Sequence, residues 1–255
     1  MSQNSPKSTK NKKMAINTLT FEILKQLNTK QKTCLCLGYP DMCVNPQLFK
    51  HTHEYNEVSN ADKIKKKHGW DGPIYNSTDI FTKELGFKEV EYADIEKHEG
   101  SETIFDLNFF INWKRKYDFI IDAGTAEHCF NLGQVFDNIR RGVNLNGGII
   151  MHINPLNLLN HGFWNINPTA YFDFYNANGF EIIKSIGMNK DSNNPKFFYY
   201  SDNNKYRRFN FKEGEVLNLI VAKSISDTSA KTVWPVQHKY KTIIAIIENI
   251  PINKT

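Results

Sequence analysis

The chain has 255 residues, a formal net charge of +5, 40% hydrophobic and 13% aromatic residues, and 23% charged residues. That apolar share fills a core, and the charged share sits near the globular average of about 25%, so wholesale disorder, collagen-like repeats and a coiled coil are excluded. No apolar run approaches the ~18 residues of a membrane-crossing helix, and the first residues lack the apolar stretch of a secretory signal, so a cytoplasmic protein with no membrane partner is expected.

Residues 1–13 hold Lys7, Lys10, Lys12 and Lys13 and no acid, which is four of the five net positive charges. They read as a disordered basic tail, and the nearly neutral remainder, residues 14–255, reads as one domain. Residues 14–30 have mostly helical apolar spacing, with Thr18 or Thr20 placed to cap. Residues 33–43 are a short apolar run that stops at Gly38-Tyr39-Pro40-Asp41, a buried strand and a turn. Cys34 and Cys36 lie two apart in that run, on one face of the strand, and read as small buried hydrophobes.

Residues 44–77 are polar and read as an insertion with a short helix near 60–68. Its His51, His53, Glu54 and His68 match no strong metal template, and the four cysteines form no CxxC pair, so no metal is expected. A helix from Ser77 or Thr78 closes at Gly86. Strands follow at 87–95, 101–108 and 117–124, ending at Asp94, Asp106 and Asp122. Residues 125–143 read as one helix, and Asn146-Gly147-Gly148 turns the chain into an apolar strand. A helix over 168–180, a strand over 181–189, a polar loop over 190–214 and a strand over 215–225 complete the body. Helices alternating with strands predict an α/β sheet with parallel strands, its last two strands pairing antiparallel at one edge.

Ligands of such sheets sit beyond the carboxyl ends of the strands. Here those ends carry Gly38-Tyr39-Pro40-Asp41, Asp94, Asp106, Asp122 through His128, and Asn154. A carboxylate there accepts two hydrogen bonds from a vicinal diol, and a glycine lets a ligand approach the backbone.

The segment YDFIIDAGTAEHCFNLGQVFDNIRRGVNLNGGIIMHINP resembles the core of class I S-adenosylmethionine-dependent methyltransferases: a strand ending at an acid, a Glu-His turn (Glu127-His128), a helix, and a Gly-Gly turn (Gly147-Gly148). The resemblance covers about residues 30–225. It implies a Rossmann-like three-layer sandwich whose mainly parallel seven-stranded sheet has an antiparallel last strand. It also implies that Gly38, Tyr39 and Asp41 pack against the methionine part of the cofactor, that Asp94 holds the ribose, that Asp106 and Leu107 flank the adenine, and that Asp122, Ala123 and Gly124 floor the sulfonium. The first turn departs from the family's acid and Gly-x-Gly-x-Gly pattern. It keeps one glycine, and Pro40 removes an N–H.

The segment from about 154 to 175 is the individual part of the sequence. Asn154, Asn157, Asn160, Phe163, Trp164 and Tyr171 are the candidate substrate ligands; amides and aromatics suit a sugar or a related small polar metabolite, as in bacterial glycan or small-molecule modification. An oxygen nucleophile gains from a base with a pKa near 7, which makes His161, His128 and Glu127 the candidate catalytic groups, His161 foremost. No Asp-Pro-Pro-Tyr follows the third acid-ended strand, and the body is neutral, so DNA is not the expected substrate. O-methylation from S-adenosylmethionine, releasing S-adenosylhomocysteine, is the leading expectation. N-methylation and a non-catalytic methyltransferase-like binding subunit are the alternatives, and the oligomeric state is left open.

Overall fold

The computed structural model describes residues 15–97, 102–189, 197–199, 214–226 and 231–240. The basic tail and most of the 190–214 loop lie outside the described residues.

The chain opens with a short strand, β1 (Ala15–Asn17), where the sequence suggested helix. The helix, α1 (Thr18–Gln26), starts one residue later because the Asn17 side chain accepts from Thr20 N at 2.9 Å; Asn17, not a threonine, is the cap. Then come β2 (Thr33–Leu37) and β3 (Asp41–Cys43), which pairs parallel with β1. The insertion contributes α2 (Ala61–His68), closed by Gly69 at φ 63°. Next is α3 (Ser77–Asp79), capped by Asn76 and continued by a π-helical turn over Ile80–Glu84. After β4 (Glu89–Asp94), β5 (Glu102–Ile104) and β6 (Phe119–Asp122), the expected single helix divides. A 3-10 turn takes Ala126–His128, and α4 (Leu132–Gly142) begins at its own cap, Asn131. The remaining elements are β7 (Ile149–Pro155), α5 (Pro168–Ala177), β8 (Phe180–Asn189), β9 (Phe197–Tyr199) and β10 (Val216–Ser224).

The main sheet runs β5-β4-β2-β6-β7-β10-β8-β9. Neighbours from β5 to β7 are parallel, and β10 is antiparallel to both β7 and β8. The expected antiparallel pairing of β8 with the last strand, β10, is present toward one edge, with β10 between β7 and β8. The edge belongs to β9, antiparallel to β8, a strand within the stretch that the sequence suggested was loop.

Side chains alternate across this sheet and build two cores. Cys34, Cys36, Ile121 and Met151 face α1 and the π-helical turn, in a layer with Phe21, Leu24 and Phe81. Leu35, Leu37, Ile120 and Ile150 face α4 and α5, in a layer with Val135, Phe136, Ile139, Tyr171 and Tyr175. The result is a helix–sheet–helix sandwich. All four cysteines are free, and Cys34 and Cys36 are buried on one face with sulfurs 4.0 Å apart. A small separate cluster of Cys43, Ala61, Ile64 and Ile74 anchors the insertion.

Candidate functional site

The strand ends at the carboxyl edge of the sheet fall into two groups. The first joins β2, β4 and β5. Gly38, just past β2, has φ 76°, and its N–H donates to Ala93 O at 2.7 Å. A Cβ built there would lie 3.0 Å from Thr125 Oγ1 and 3.8 Å from Asp94 Oδ2. The glycine thus lines a notch between the β4 carboxylate and the turn after β6. Asp94 Oδ1 accepts from its own turn, from Ile95 N at 2.7 Å, which leaves Oδ2 toward the notch. Asp106 Oδ1 accepts from the backbone and side-chain nitrogens of Asn108, both at 2.9 Å. Leu107 beside it is buried.

Tyr39 and Asp41 leave the notch for the insertion. The Tyr39 hydroxyl accepts from Asn76 Nδ2 at 2.9 Å, and its ring centroid lies 4.4 Å from that of Tyr92. Asp41 pairs with Lys67 and with His68 Nε2, the latter at 2.8 Å. Burial would raise the Asp41 carboxyl, but the hydrogen bonds from His68 and Lys67 outweigh it and hold the group below its usual range.

The second group joins β6, β7 and α5, and it is dry. The parallel register of β6 and β7 sets Asp122 beside His152. Both are fully buried, and His152 Nδ1 is 2.8 Å from Asp122 Oδ2. Asn154 Nδ2 donates to the same oxygen at 3.0 Å, while the backbone N–H groups of Thr125 and Ala126 donate to Oδ1 at 3.0 and 3.1 Å. Burial would raise this carboxyl; the His152 hydrogen bond and charge and the two N–H groups reverse that and lower it. Burial, reinforced by Asp122, pushes the Tyr175 and Tyr171 hydroxyls well above their usual range, so both keep their protons. Tyr175 OH lies 2.6 Å from His152 Nε2, and Tyr171 OH donates to Asn154 Oδ1 at 2.6 Å.

Asn154 also donates to Glu127 Oε2 at 2.8 Å, which carries the network to the 3-10 turn. The loop after β7 lies on that turn. Phe163 N and Trp164 N donate to Glu127 O at 2.9 and 3.2 Å, and Trp164 Nε1 donates to Cys129 O at 3.0 Å. A Cβ on Gly162 would meet Glu127 O at 2.8 Å, so glycine is required there by close backbone approach. This docking delivers His161 to Glu127: Nε2 is 3.3 Å from Oε1 of the fully buried carboxylate, and the His161 side chain is 9% exposed. His128 Nε2 is 4.0 Å from the same oxygen, with its side chain 45% exposed. Glu127, His128 and His161, read from the sequence as the candidate catalytic groups, therefore meet at one corner. Burial, with Asp122 next, raises the nearby Cys129 thiol to about 12, which keeps it protonated and inert as a nucleophile.

Several other sequence-derived site residues stand elsewhere. Asp122, Asn154 and Tyr171 are fully buried with their polar atoms committed inside the protein, so they frame the site and do not meet a ligand. Asn157 ties the loop to β10, accepting from Val216 N at 2.6 Å and donating to Gly214 O at 2.8 Å. Asn160 takes the left-handed turn at φ 57°. Phe163 and Trp164 remain partly exposed, Phe163 edge-on to the exposed Phe130 at 5.5 Å. Ala123 and Gly124, half-buried, form the step between the two groups. Sequence reasoning missed His152 and Tyr175. The signal was a histidine at the centre of β7, a strand whose only other polar side chain is Asn154.

An open groove of about 550 Å³ lies at the opposite end of the sheet, lined among others by Gln26, Lys32, Asp118, Asn144 and Lys223. It holds none of the clustered groups, and Asp118 is already bound to Thr33 and Asn144. No helix among the described residues is long and apolar enough to cross a membrane.

The strand order and directions define an α/β protein of Rossmann-like architecture, with its clustered polar groups at the carboxyl edge of the sheet. No protein-family model matches the chain, and no curated protein matches it. Among solved structures it is similar to the 1,6-didemethyltoxoflavin-N1-methyltransferase of Burkholderia thailandensis, crystallised with 1,6-didemethyltoxoflavin and S-adenosylhomocysteine, at 10% identity and a TM-score of 0.44 over 81% of this chain and 76% of that one. It is also similar to the O-MT segment of StiE, at 12% identity and a TM-score of 0.41 over 80% of this chain and 72% of that one. These overlaps are loose. The architecture rests on the strand order and strand directions.

Proposed function

We propose that this protein is a class I methyltransferase that moves a methyl group from S-adenosylmethionine to an oxygen of a small polar acceptor, a sugar or related metabolite. The observation that carries the reading is the Gly38 notch, walled by the Asp94 carboxylate on one side and by the Thr125 turn on the other. Thr125 fixes that wall, since its hydroxyl donates to Leu37 O at 2.7 Å. The wall residue Thr125 precedes Glu127 by two positions in the chain, which links the notch to the turn that carries His128.

The cofactor supplies an electrophilic methyl group on a sulfonium. When it is bound, Asp94 would accept hydrogen bonds from the ribose diol, Asp106 would take the adenine, and Ala123 and Gly124 would line the sulfonium end. In-line displacement is mainly a positioning problem. The Glu127 corner holds the acceptor hydroxyl and favours loss of its proton, and Phe163 and Trp164 screen the approach. The nearly neutral body offers no basic field for a nucleic acid.

Calorimetric titration of S-adenosylhomocysteine tests the reading. Stoichiometric binding at the micromolar level, weakened by Asp94→Ala, is expected, followed by transfer of labelled methyl to a panel of sugars and sugar nucleotides. Absence of binding overturns it.

A further inference from the structure

Glu127 Oε1 and His161 Nε2 are buried, and neither has a hydrogen-bond partner. They lie 3.3 Å apart. At that distance a protonated imidazole and a carboxylate normally form a directed N–H···O bond, and here none forms. A buried carboxylate oxygen left without a hydrogen-bond donor is costly. Two buried, unpartnered donor atoms this close can share a third group as ligands. His128 Nε2 is 4.0 Å from the same oxygen, and the three donor atoms all lie within 4.8 Å of one another.

We propose that Glu127, His128 and His161 form a binding site for a divalent first-row transition-metal ion. Two imidazoles and one carboxylate are the donor set such ions favour, with zinc the reference case. Ligand bonds of about 2.0–2.2 Å in tetrahedral array put donor atoms roughly 3.3–3.6 Å apart. The Glu127–His161 spacing already fits, and the half-exposed His128 needs only a side-chain rotation. The carboxylate is held from behind as metal ligands are: Asn154 fixes Oε2 at 2.8 Å, and Tyr171 fixes Asn154 at 2.6 Å. Three protein ligands leave positions open on the side where His128 reaches solvent. The ligands come from two segments, residues 127–128 and residue 161, which explains why no linear spacing announced the site.

Under the proposed methyltransferase reading, on which the functional half of this inference rests, an acceptor hydroxyl would occupy an open position, where a divalent cation lowers its pKa. The proton would then leave to solvent water on the side where His128 is exposed, and His161, held as a ligand, would not have to accept it.

Untagged protein, stripped with a chelator, is titrated with zinc sulfate by calorimetry and with cobalt(II) by visible absorption. One ion per chain is expected, with the absorption of a nitrogen- and oxygen-ligated cobalt. Glu127→Gln and His161→Ala should each weaken zinc binding at least about tenfold. His128→Ala, at an exposed position that leaves the fold intact, should do the same. Absence of stoichiometric binding, or binding unchanged in His128→Ala and His161→Ala, overturns the site. S-adenosylhomocysteine titration of the same stripped protein separates the two claims. Cofactor binding without metal binding removes the metal alone, and metal binding without cofactor binding removes the methyltransferase reading and leaves the site standing.

Discussion

The strands β4 and β6 both end in aspartate, and the two carboxylates are treated in opposite ways. Asp94 is partly exposed, with one oxygen on its own turn and the other facing the Gly38 notch. Asp122 is sealed, with both oxygens accepting from protein donors on β7 and on the turn toward Glu127. The first stands at the rim of the notch, where it is half-buried. The second is a fixed internal anion that orders the groups around it. The same residue at the same kind of position thus lines an open notch in one half of the site and holds an internal framework in the other, and burial makes the difference.

Removing His161 should produce the largest effect. His161→Asn keeps a polar group in the loop but takes the imidazole from Glu127. Methyl transfer should fall by about 10²–10⁴-fold, in the range for loss of a group that assists proton removal, with affinity for S-adenosylhomocysteine unchanged. A rate within threefold of wild type would mean that the acceptor half does not sit at this corner.

Asp122 should matter through stability. Asp122→Ala strands His152, Asn154 and two backbone N–H groups in a dry interior. Breaking one side of a buried charged pair typically costs about 3–5 kcal/mol, a large share of a total of about 5–15 kcal/mol. Urea unfolding measures it, and a loss under 1 kcal/mol would show that water reaches the network.

Asp94→Ala should leave unfolding nearly untouched and weaken cofactor binding by about 1.5–3 kcal/mol, the value of hydrogen bonds to a charged acceptor. Unchanged affinity would transfer the ribose role to Asp106 and place the notch outside the binding site.

How legible this was in the sequence depended on how local each signal is. Asp94 ends an alternating run and Asp122 an apolar one, so their places at strand ends were readable from the run alone, whereas Asp106 falls two residues past the short β5. Period-two burial of Cys34 and Cys36 was readable for the same reason. The position of β10 was not, because a strand's apolar pattern says that it is buried and not which neighbours flank it. The cap at Asn17 was missed because Thr18 and Thr20 offer the same chemistry one and three residues on. Gly162 is the instructive case. It reads as a hinge, but its reason is Glu127 O, 2.8 Å from where a Cβ would stand, a contact 35 residues away in the chain that no local pattern records. Asp122–His152 is similar: each residue is visible, and only the β6–β7 register makes them a pair.

The smallest expected signal is also the most selective test of the contrast between the two aspartates. The native Asp122 carboxyl lies below its ordinary value, since the hydrogen bond and charge of His152 with the N–H groups of Ala126 and Thr125 overcome burial. A carboxyl lowered on folding stabilises the native state fully above its unfolded pKa, about 3.9, and that contribution is lost as pH falls through the folded value. Asp41, Asp118 and Asp137 are lowered as well, so wild type alone mixes several contributions. Comparison with Asp122→Asn isolates one of them, because the variant lacks this titration and keeps the others. The gap in unfolding free energy between the two proteins should hold constant from pH 7 to about 5 and narrow below about 4. Urea unfolding at pH 7, 5, 4 and 3 reads it. A gap that stays flat to pH 3, or widens there, would mean that burial wins and Asp122 folds protonated, and the sealed half of the site would then be a neutral hydrogen-bond network in place of a fixed charge.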